Sequence, residues 1–281
     1  MIACILAGGE GTRLRPISCR NPKPMTRFVT HPVMGHMLAH LHDCGVSRAA
    51  VTLRHMPDLI RDYFGDGEDW GVALEYYEEN RPLGTAGGVA NCEFPEDEEI
   101  LVVSGDAVCD FDFRKALEFH RAHNAEATIL LSHQKEPLEY GIVECDESGK
   151  VRRFVEKPSW NRVSTDTVNT GIYILSSSVL RRIAKGRPSD FSRDIFPEML
   201  RRGDALYACT MPGYWCDIGD CNAYLRCVHD ALAGRIALRL PTAKDGIYSL
   251  SSIPESTSIF NSSFFLIPCT PPFQEILSVL F

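Results

Sequence analysis

A short apolar run, IACIL at residues 2–6, leads directly into the glycine-rich segment AGGEGTRLRP at residues 7–16. Consecutive apolar residues bounded by glycine are typical of a buried β-strand. Gly8, Gly9 and Gly11 have no side chains to keep an anion away from the backbone amides, and strand-to-helix turns hold phosphate groups in this way. The stretch therefore predicts an α/β protein with an anion site after its first strand. A tight turn without a ligand is the alternative.

Positive charge follows the glycines. Residues 10–27 carry five arginine or lysine side chains and one glutamate, a local charge of +4, whereas the whole chain has 29 basic and 37 acidic residues and a net charge of −8. The five cations are Arg13, Arg15, Arg20, Lys23 and Arg27. Such cations beside oriented amides suit a polyphosphate, although a solvated basic loop has the same composition. The overall negative charge excludes a nucleic-acid partner that needs a basic surface.

The alternation of short apolar runs with segments of helical period continues along the chain. The predicted strands are Ile2–Leu6, Ala49–Leu53, Leu74–Tyr77, Ile100–Ser104 and Ala127–Ser132. The predicted helices are Met34–Asp43, Asp58–Phe64 and Phe113–His123. A hairpin of Gly141–Cys145 with Val151–Glu156, followed by a strand at Thr170–Leu175, adds antiparallel pairing. Residues 1–235 are therefore predicted to form one α/β domain around a mixed, mostly parallel central sheet.

Residues 236–281 have a different composition, rich in serine, threonine and proline. Within them Ile247, Ile253, Ile259 and Phe265 recur at intervals of six, which is the period of a parallel β-helix. The tail is predicted to be a short, truncated β-helix, and a partly disordered tail is the alternative.

The cysteines and the N-terminus indicate the compartment. Eleven cysteines, an odd number without a C-x-x-C pair, favour free thiols in a reducing compartment, with zinc binding as the weaker alternative. The first apolar run is too short for a signal peptide, and no stretch approaches the ~20 apolar residues that span a bilayer. We expect a cytoplasmic protein without a membrane partner.

LAGGEGTRLRP at residues 6–16 and NPKPM at residues 21–25 resemble the signature of the sugar-1-phosphate nucleotidyltransferases. Further matches follow in order: PLGTAGG at 82–88, VVSGD at 102–106, EYGIVE at 139–144, VEKPS at 155–159, VNTGIY at 168–173 and GYWCDIGD at 213–220. LGTAG, NTGIY and WCDIG are most similar to the mannose-1-phosphate guanylyltransferase branch, whose members often carry a C-terminal left-handed β-helix. The resemblance covers roughly residues 1–235 and implies a Rossmann-like, GT-A-type domain that transfers a nucleotidyl group to a sugar 1-phosphate and releases pyrophosphate.

The resemblance assigns the catalytic residues Arg13, Lys23, Asp106 and Asp217. Arg13 is expected to hold the β- and γ-phosphates, and Lys23 to stabilise charge at the α-phosphate. Asp106 and Asp217 are expected to bind one Mg²⁺ ion between the two substrates. The position of Asp106 also fits independently, because ligands of open α/β sheets bind beyond the carboxyl ends of the strands. Asp110, Asp112 and Asp220 are instead predicted to be helix caps or solvated side chains.

Two groups of binding residues are implied by the same resemblance. The nucleotide is expected at Leu6, Gly8, Gly9, Gly11, Thr12, Arg13, Lys23, Thr85, Gly87 and Asp106. The sugar phosphate is expected at Gly141, Glu156, Lys157, Asn169 and Thr170. Without the resemblance, EKP would be interpreted as a turn that ends a strand, and NTG as a bend. The segment TRFVTHPVM at residues 26–34 departs from the family pattern, which leaves the packing of the following helix open.

The favoured reaction is GTP plus mannose 1-phosphate giving GDP-mannose, a polysaccharide precursor. Thymidylyl, uridylyl or adenylyl transfer to glucose 1-phosphate is the alternative, and so is a catalytically silent regulatory paralogue that binds a nucleotide sugar. An NAD-dependent oxidoreductase is disfavoured, because TLRH at residues 52–55 lacks an acidic residue for the ribose. Whether the chain forms a homo-oligomer stays open.

Overall fold

The computed structural model describes residues 1–238, which form a layered α/β structure. The strands are β1 (Ile2–Leu6), β2 (Arg27–Phe28), β3 (His31–Pro32), β4 (Arg48–Leu53), β5 (Ala73–Glu78), β6 (Glu99–Ser104), β7 (Ala107–Cys109), β8 (Ala127–His133), β9 (Gly141–Cys145), β10 (Val151–Glu156), β11 (Thr167–Ser176), β12 (Leu206–Thr210) and β13 (Trp215–Asp217). The α-helices are α1 (Val33–Asp43), α2 (Pro57–Phe64), α3 (Gly84–Asn91), α4 (Phe113–Ala122), α5 (Ser177–Leu180), α6 (Phe196–Arg202) and α7 (Cys221–Leu232).

Nine strands form the central sheet. Seven of them follow the order β10-β9-β11-β6-β1-β4-β5, and β8 pairs with β11 and with β12. The strands β6, β1, β4 and β5 are parallel, whereas β11 runs antiparallel to β6 and to β8. The predicted α/β class, with a parallel centre and a mixed second half, is confirmed.

Helices cover both faces of the sheet. Ala3 and Ile5 of β1 pack with α1 and α2 on one face, whereas Cys4 packs with Ala86 and Val89 of α3 on the other. A strand that is buried on both faces has no need for alternating polar residues, which explains the uninterrupted apolar run at residues 2–6.

A third cluster lies beyond the carboxyl edge of the sheet. Leu14 and Phe28, from the long segment between β1 and α1, pack against Tyr224 and Cys227 of α7. The Tyr224 hydroxyl also donates a hydrogen bond to the carbonyl oxygen of Arg27 at 2.9 Å. Helix α7 therefore holds the glycine-rich and basic segment against the domain.

The predicted elements begin and end within a few residues of the observed ones. The segment that departs from the family pattern forms the β2–β3 hairpin and the start of α1. A Cβ atom on Gly35 would lie 2.6 Å from the Trp70 ring, so α1 packs there as closely as a glycine allows. Nine elements of the described residues were not predicted: the strands β2, β3, β7, β12 and β13, and the helices α3, α5, α6 and α7.

The predicted β-helix of the tail, with Ile247, Ile253, Ile259 and Phe265, lies outside the described residues. All ten cysteines within residues 1–238 are free thiols, in agreement with the sequence prediction. In that same part of the chain, no helix has the length and apolar character needed to cross a bilayer.

Candidate active site

Three segments meet at the carboxyl edge of the parallel strands. Leu6 at the end of β1 lies opposite Ser104 at the end of β6, and the Gly105 amide donates to the Leu6 carbonyl oxygen at 2.9 Å. Directly after this point, Ala107 of β7 pairs with Asp217 of β13. Asp106 and Asp217, which are far apart in sequence, are thus brought next to the glycine-rich loop.

The side chain of Lys23 lies between these two aspartates. Its Nζ atom is 2.6 Å from Oδ2 of Asp106 and 3.2 Å from Oδ1 of Asp217. Lys23 is only 8% exposed. It lies between Pro22 and Pro24 and begins the short 3₁₀ turn Lys23–Met25. The structure therefore brings together three of the four residues that were predicted to be catalytic.

The charges of this group depend on one another. Burial alone would lower the pKa of Lys23, but the two carboxylates outweigh burial and raise it above its usual value. Burial raises the pKa of Asp217; the ammonium of Lys23 opposes that shift, and the charge of Asp106 adds to it. The hydroxyl of Ser104 donates a hydrogen bond to Oδ1 of Asp106.

Gly11 lies directly against Lys23. Its φ is +62°, and a Cβ atom there would lie 2.9 Å from the Cβ of Lys23. The carbonyl oxygen of Gly11 accepts a hydrogen bond from the Ser18 hydroxyl at 2.7 Å, which fixes the turn. The loop can therefore pass this close to Lys23 because the residue is glycine.

The other predicted loop residues lie around the same point. Arg13 is exposed and lies near Asp217. Side-chain atoms of both residues lie within 4 Å of the position that a Cβ atom on Gly219 would take. Gly8 approaches Arg54 of the neighbouring strand exit, whereas a Cβ on Gly9 would meet no atom of the described residues within 4 Å. Leu6 is partly buried, and Thr12 is exposed at the start of the 3₁₀ turn Thr12–Leu14.

Thr85 and Gly87 lie on α3, and the structure shows their contacts with the segment before α6. The amides of Ala86 and Gly87 both donate to the carbonyl oxygen of Ser189 at 3.0 Å. The Thr85 hydroxyl donates to Oδ2 of Asp190 at 2.9 Å and accepts from the amide of Phe191 at 3.0 Å. The first turn of α3 is thus bonded within the protein.

Two of the predicted sugar-site residues, Glu156 and Asn169, interact with Ser192, and a third, Gly141, lies beside Glu156. Gly141 pairs with Glu156 across the hairpin, and a Cβ on Gly141 would lie 2.8 Å from Oε2 of Glu156. The Asn169 amide donates to the Tyr173 hydroxyl at 3.0 Å and to the Ser192 hydroxyl at 3.2 Å. Burial, followed by the charge of Asp190, raises the pKa of Glu156.

Thr170 and Lys157 occupy different positions from these three. Thr170 is buried, and its hydroxyl donates to the Leu130 carbonyl oxygen of β8 at 2.7 Å, which holds the irregular part of β11. Lys157 is exposed, has a left-handed φ of 44°, and carries its ammonium 3.8 Å from Glu139. Its amide donates to Tyr140, whose ring lies 5.3 Å from that of Trp215.

Sequence reasoning missed Ser104, Asp190 and Ser192. Asp190 accepts hydrogen bonds from the amides of Ser192 and Arg193, and this arrangement is typical of an aspartate that starts a helical segment. The segment DFSRD at residues 190–194, which begins with this aspartate, was the available signal.

The three aspartates predicted as caps or solvated side chains divide into two classes. Asp112 caps α4 and Asp220 caps α7, as predicted. Asp110 is neither: its carboxylate accepts from the amides of Tyr214 and Ala237, at 2.6 and 3.0 Å, and so braces two loops.

The donor set is suited to a hard cation that also binds substrate. Within residues 1–238, no group of three or more His, Cys, Asp or Glu side chains could enclose a metal ion. Asp106 and Asp217 supply two carboxylates at one point, and Mg²⁺ is commonly held by one or two carboxylates together with substrate phosphates. The residues present therefore fit Mg²⁺.

A family model described as nucleotidyl transferase matches residues 2–234. The mannose-1-phosphate guanylyltransferase catalytic subunit beta of Drosophila pseudoobscura pseudoobscura is 36% identical over 227 residues, which cover 79% of this chain and 60% of that protein. The mannose-1-phosphate guanyltransferase beta-A of Xenopus laevis is 37% identical over 230 residues, covering 80% and 63%. The chain thus spans about three fifths of the length of these relatives.

Solved structures also resemble this chain over most of its length. HddC from Yersinia pseudotuberculosis superposes with a TM-score of 0.71 and 28% identity, covering 82% of this chain and 99% of that one. HddC has also been solved in a complex with GMP-PN. A putative glucose-1-phosphate thymidylyltransferase from Bacillus anthracis, in complex with a sucrose, gives a TM-score of 0.74 at 26% identity, covering 87% and 98%.

Proposed function

The chain belongs to the nucleotidyl transferase family, and from that premise we propose that it transfers the guanylyl group of GTP to mannose 1-phosphate, giving GDP-mannose and pyrophosphate. The base and sugar are proposed from the relatives, which are named mannose-1-phosphate guanylyltransferases. The observation that carries the reaction class is the Lys23 ammonium held between Asp106 and Asp217 at the mouth of the glycine-rich loop.

Repulsion between anions is the main barrier to such a transfer. The attacking phosphate oxygen is largely ionised near neutral pH, so the reaction needs no strong general base. At ~5 Å and an effective dielectric constant of ~20, however, each pair of unit charges costs about 3 kcal/mol. Cations and oriented amides placed where the two substrates meet offset this cost.

The residues on the loop side have the charges that this task requires. We propose that Arg13 and the amides of Gly8, Gly9 and Gly11, with Leu6 and Thr12 beside them, bind the triphosphate. Lys23 would stabilise the charge that develops at the α-phosphate. Thr85 and Gly87 are proposed to bind the nucleotide through the position of α3, whose first turn is held by hydrogen bonds to residues 189–191.

Asp106 and Asp217 are proposed to hold Mg²⁺. When bound, this ion supplies positive charge to the phosphates of both substrates. Lys23 already lies between the same two carboxylates, so its ammonium would stay close to the reacting phosphate and offset the repulsion between the two aspartates.

The sugar phosphate is proposed to bind on the hairpin side. Glu156 and Asn169 interact with Ser192, and Gly141 lies beside Glu156. These three residues would form hydrogen bonds with the hydroxyl groups of the sugar. Lys157 is exposed and would bind the phosphate, while Thr170 would fix the strand that carries Asn169.

Pyrophosphate release with Mg²⁺ and a panel of nucleoside triphosphates and sugar 1-phosphates tests the proposal. We expect the highest kcat/KM with GTP and mannose 1-phosphate. A higher value with glucose 1-phosphate and a thymidine, uridine or adenosine triphosphate would instead support the alternative substrates, of which thymidylyl transfer is the one in the name of the Bacillus anthracis structure. Tight binding of nucleotide sugar without turnover on any pair would identify a silent regulatory paralogue.

The metal ligands can be tested with a matched pair of variants. Asp217→Asn should lower kcat by about 10²-fold or more and raise the Mg²⁺ concentration needed for half-maximal rate, because a charged ligand becomes neutral. Asp220→Asn makes the same chemical change three residues away, where asparagine still caps α7, and should leave both values unchanged.

A further inference from the structure

Two thiols pack together behind the aspartate that ends β13. Successive side chains of a strand point to opposite faces, so Asp217 faces Lys23 whereas Cys216 faces α7. The Cys216 sulfur lies 3.9 Å from the carbonyl oxygen of Ala223 in the first turn of that helix.

Cys227 completes the pair from the helix. It follows Ala223 by one turn on the same helix face, and helical side chains lean back toward the N-terminus. The Cys227 thiol therefore covers the turn that Cys216 touches, and Cys216 packs against the buried cluster that contains Cys227. Cys227 is fully buried and Cys216 is partly exposed.

This arrangement differs from a second close pair of thiols within residues 1–238. The sulfurs of Cys4 and Cys92 lie 4.0 Å apart, but both residues are buried in the core between β1 and α3. An oxidant in solution can reach Cys216 more readily than either of them. A partly exposed thiol next to a second thiol is the arrangement that permits oxidation to stop at a reversible disulfide.

We propose that Cys216 and Cys227 form a reversible disulfide that reduces the activity of the site under oxidising conditions. With hydrogen peroxide, the Cys216 sulfur attacks one oxygen and the O–O bond breaks. Cys216 becomes a sulfenic acid, and the other oxygen leaves as water. The Cys227 sulfur then displaces that hydroxyl as a second water. In total, two thiols and one peroxide give one disulfide and two waters, and a dithiol reductant reverses the change.

The bond would act on the site through Asp217. A disulfide brings its sulfurs to about 2.05 Å, well inside the contact distance of two thiols. Cys216 would be drawn toward α7, and the backbone of Asp217, the next residue, would move with it. The 3.2 Å contact between Asp217 and Lys23 would then change. This effect on activity rests on the proposed function, whereas formation of the disulfide does not.

Mass spectrometry tests the bond itself. The reduced full chain is treated with hydrogen peroxide, the remaining thiols are alkylated, and trypsin cuts between Arg226 and Cys227. Without reductant, we expect a linked peptide that joins Cys216 to Cys227 and has lost two hydrogens. Absence of that peptide at peroxide doses that oxidise the exposed Cys19 would overturn the proposal.

Activity measurements test the switch. The rate of nucleotidyl transfer should fall by about tenfold or more in the wild type, since small displacements of reacting groups are costly, and dithiothreitol should restore it. Cys227→Ser should keep its rate under the same treatment, and Cys227→Ala serves if a buried serine unfolds the chain. Cys221→Ser, the matched control at the start of α7, should lose activity as the wild type does.

Two further outcomes separate the proposals. A linked peptide with an unchanged rate, or equal loss in Cys227→Ser and wild type, would contradict the switch. The protein could form the linkage on oxidation and yet, in its reduced state, transfer nucleotide to no sugar phosphate. That result would contradict the proposed function and still support the disulfide.

Discussion

At the level of single residues, the Lys23 ammonium lies 2.6 Å from Asp106 and 3.2 Å from Asp217, and only 8% of the residue is exposed. One positive charge therefore serves two carboxylates in a place where water contributes little screening. A pair of carboxylates without this cation would repel each other, and one of them would take up a proton more readily.

On the proposed function, Lys23→Ala should reduce kcat by about 10²–10³-fold, because it would remove a positive charge from the reacting phosphate. Arg20→Ala removes the same charge from an exposed position in the same loop and should change kcat less than about threefold, since exposed charges are screened. Steady-state kinetics at saturating Mg²⁺ distinguish the two. Equal losses in both variants would show that the loop acts through its summed charge and that the position of Lys23 is unimportant.

Gly11→Ala should lower the free energy of unfolding by about 1–2 kcal/mol, because an alanine would have to adopt a left-handed φ against the Cβ of Lys23. Gly9→Ala is the matched control: its Cβ would meet no described atom within 4 Å, and the expected change is below about 0.5 kcal/mol. Urea unfolding measures both. A Gly11→Ala protein as stable as wild type would contradict the close packing of the loop on Lys23.

At the level of elements, α3 is an unusual helix, because its sequence GTAGGVAN contains three glycines. Glycine is unfavourable within a helix by about 1 kcal/mol relative to alanine. The helix nevertheless forms because Ser189 accepts hydrogen bonds from two of its first amides, and because its glycines allow close approach: a Cβ on Gly87 would lie 2.5 Å from the Arg187 carbonyl oxygen. Tertiary contacts here override local propensity.

Thr85→Val should destabilise the protein by about 1–2 kcal/mol, since it leaves the carboxylate of Asp190 and the amide of Phe191 without the hydroxyl that bonds both. Thr85→Ser keeps that hydroxyl and should retain most of the stability. Hydrogen exchange at the Phe191 amide gives a local measurement, and we expect faster exchange in Thr85→Val. Unchanged exchange there would mean that the contact does not hold α3 to this segment.

The difference between local sequence signals and contacts distant in sequence explains which elements could be predicted. The buried strand Ile2–Leu6 was predicted with its correct bounds because its signal is local. Helix α3 and the three-residue strand β13 carry no periodic signal and are fixed by partners distant in sequence. For the site, pattern matching found Lys23 and both aspartates, whereas Ser192 and Asp190 were missed because their significance lies in which residues the fold brings to them.

At the level of the whole molecule, two buried histidines link stability to pH. His36 donates from Nε2 to the Phe28 carbonyl oxygen at 2.7 Å, and burial lowers its pKa from 6.5 to about 4. Burial also lowers the pKa of His120 to about 4, and its Nδ1 lies 2.8 Å from the Thr128 hydroxyl. The unfolded chain therefore binds protons at a higher pH than the folded chain, and stability is lost as the pH falls from 6.5 toward 4.

Lowering the pH from 7.5 to 5 should cost about 2 kcal/mol of unfolding free energy for each of these histidines. His36→Gln keeps an amide donor for Phe28 but cannot titrate, so this variant should lose about 2 kcal/mol less than wild type over the same interval. Urea titrations at the two pH values supply the comparison. An identical pH dependence in both proteins would show that His36 already carries its proton in the folded state at pH 5.

Because Lys23 balances the charges of Asp106 and Asp217, folding of the chain is separated from binding of a metal ion. Zinc fingers stay unfolded until the metal binds, because the free energy of metal binding supplies the free energy of folding. Here Lys23 already supplies the counter-charge, so we expect the chain to fold without magnesium. On the proposed function, the supply of magnesium would then set the rate of the folded protein and leave the amount of folded protein unchanged.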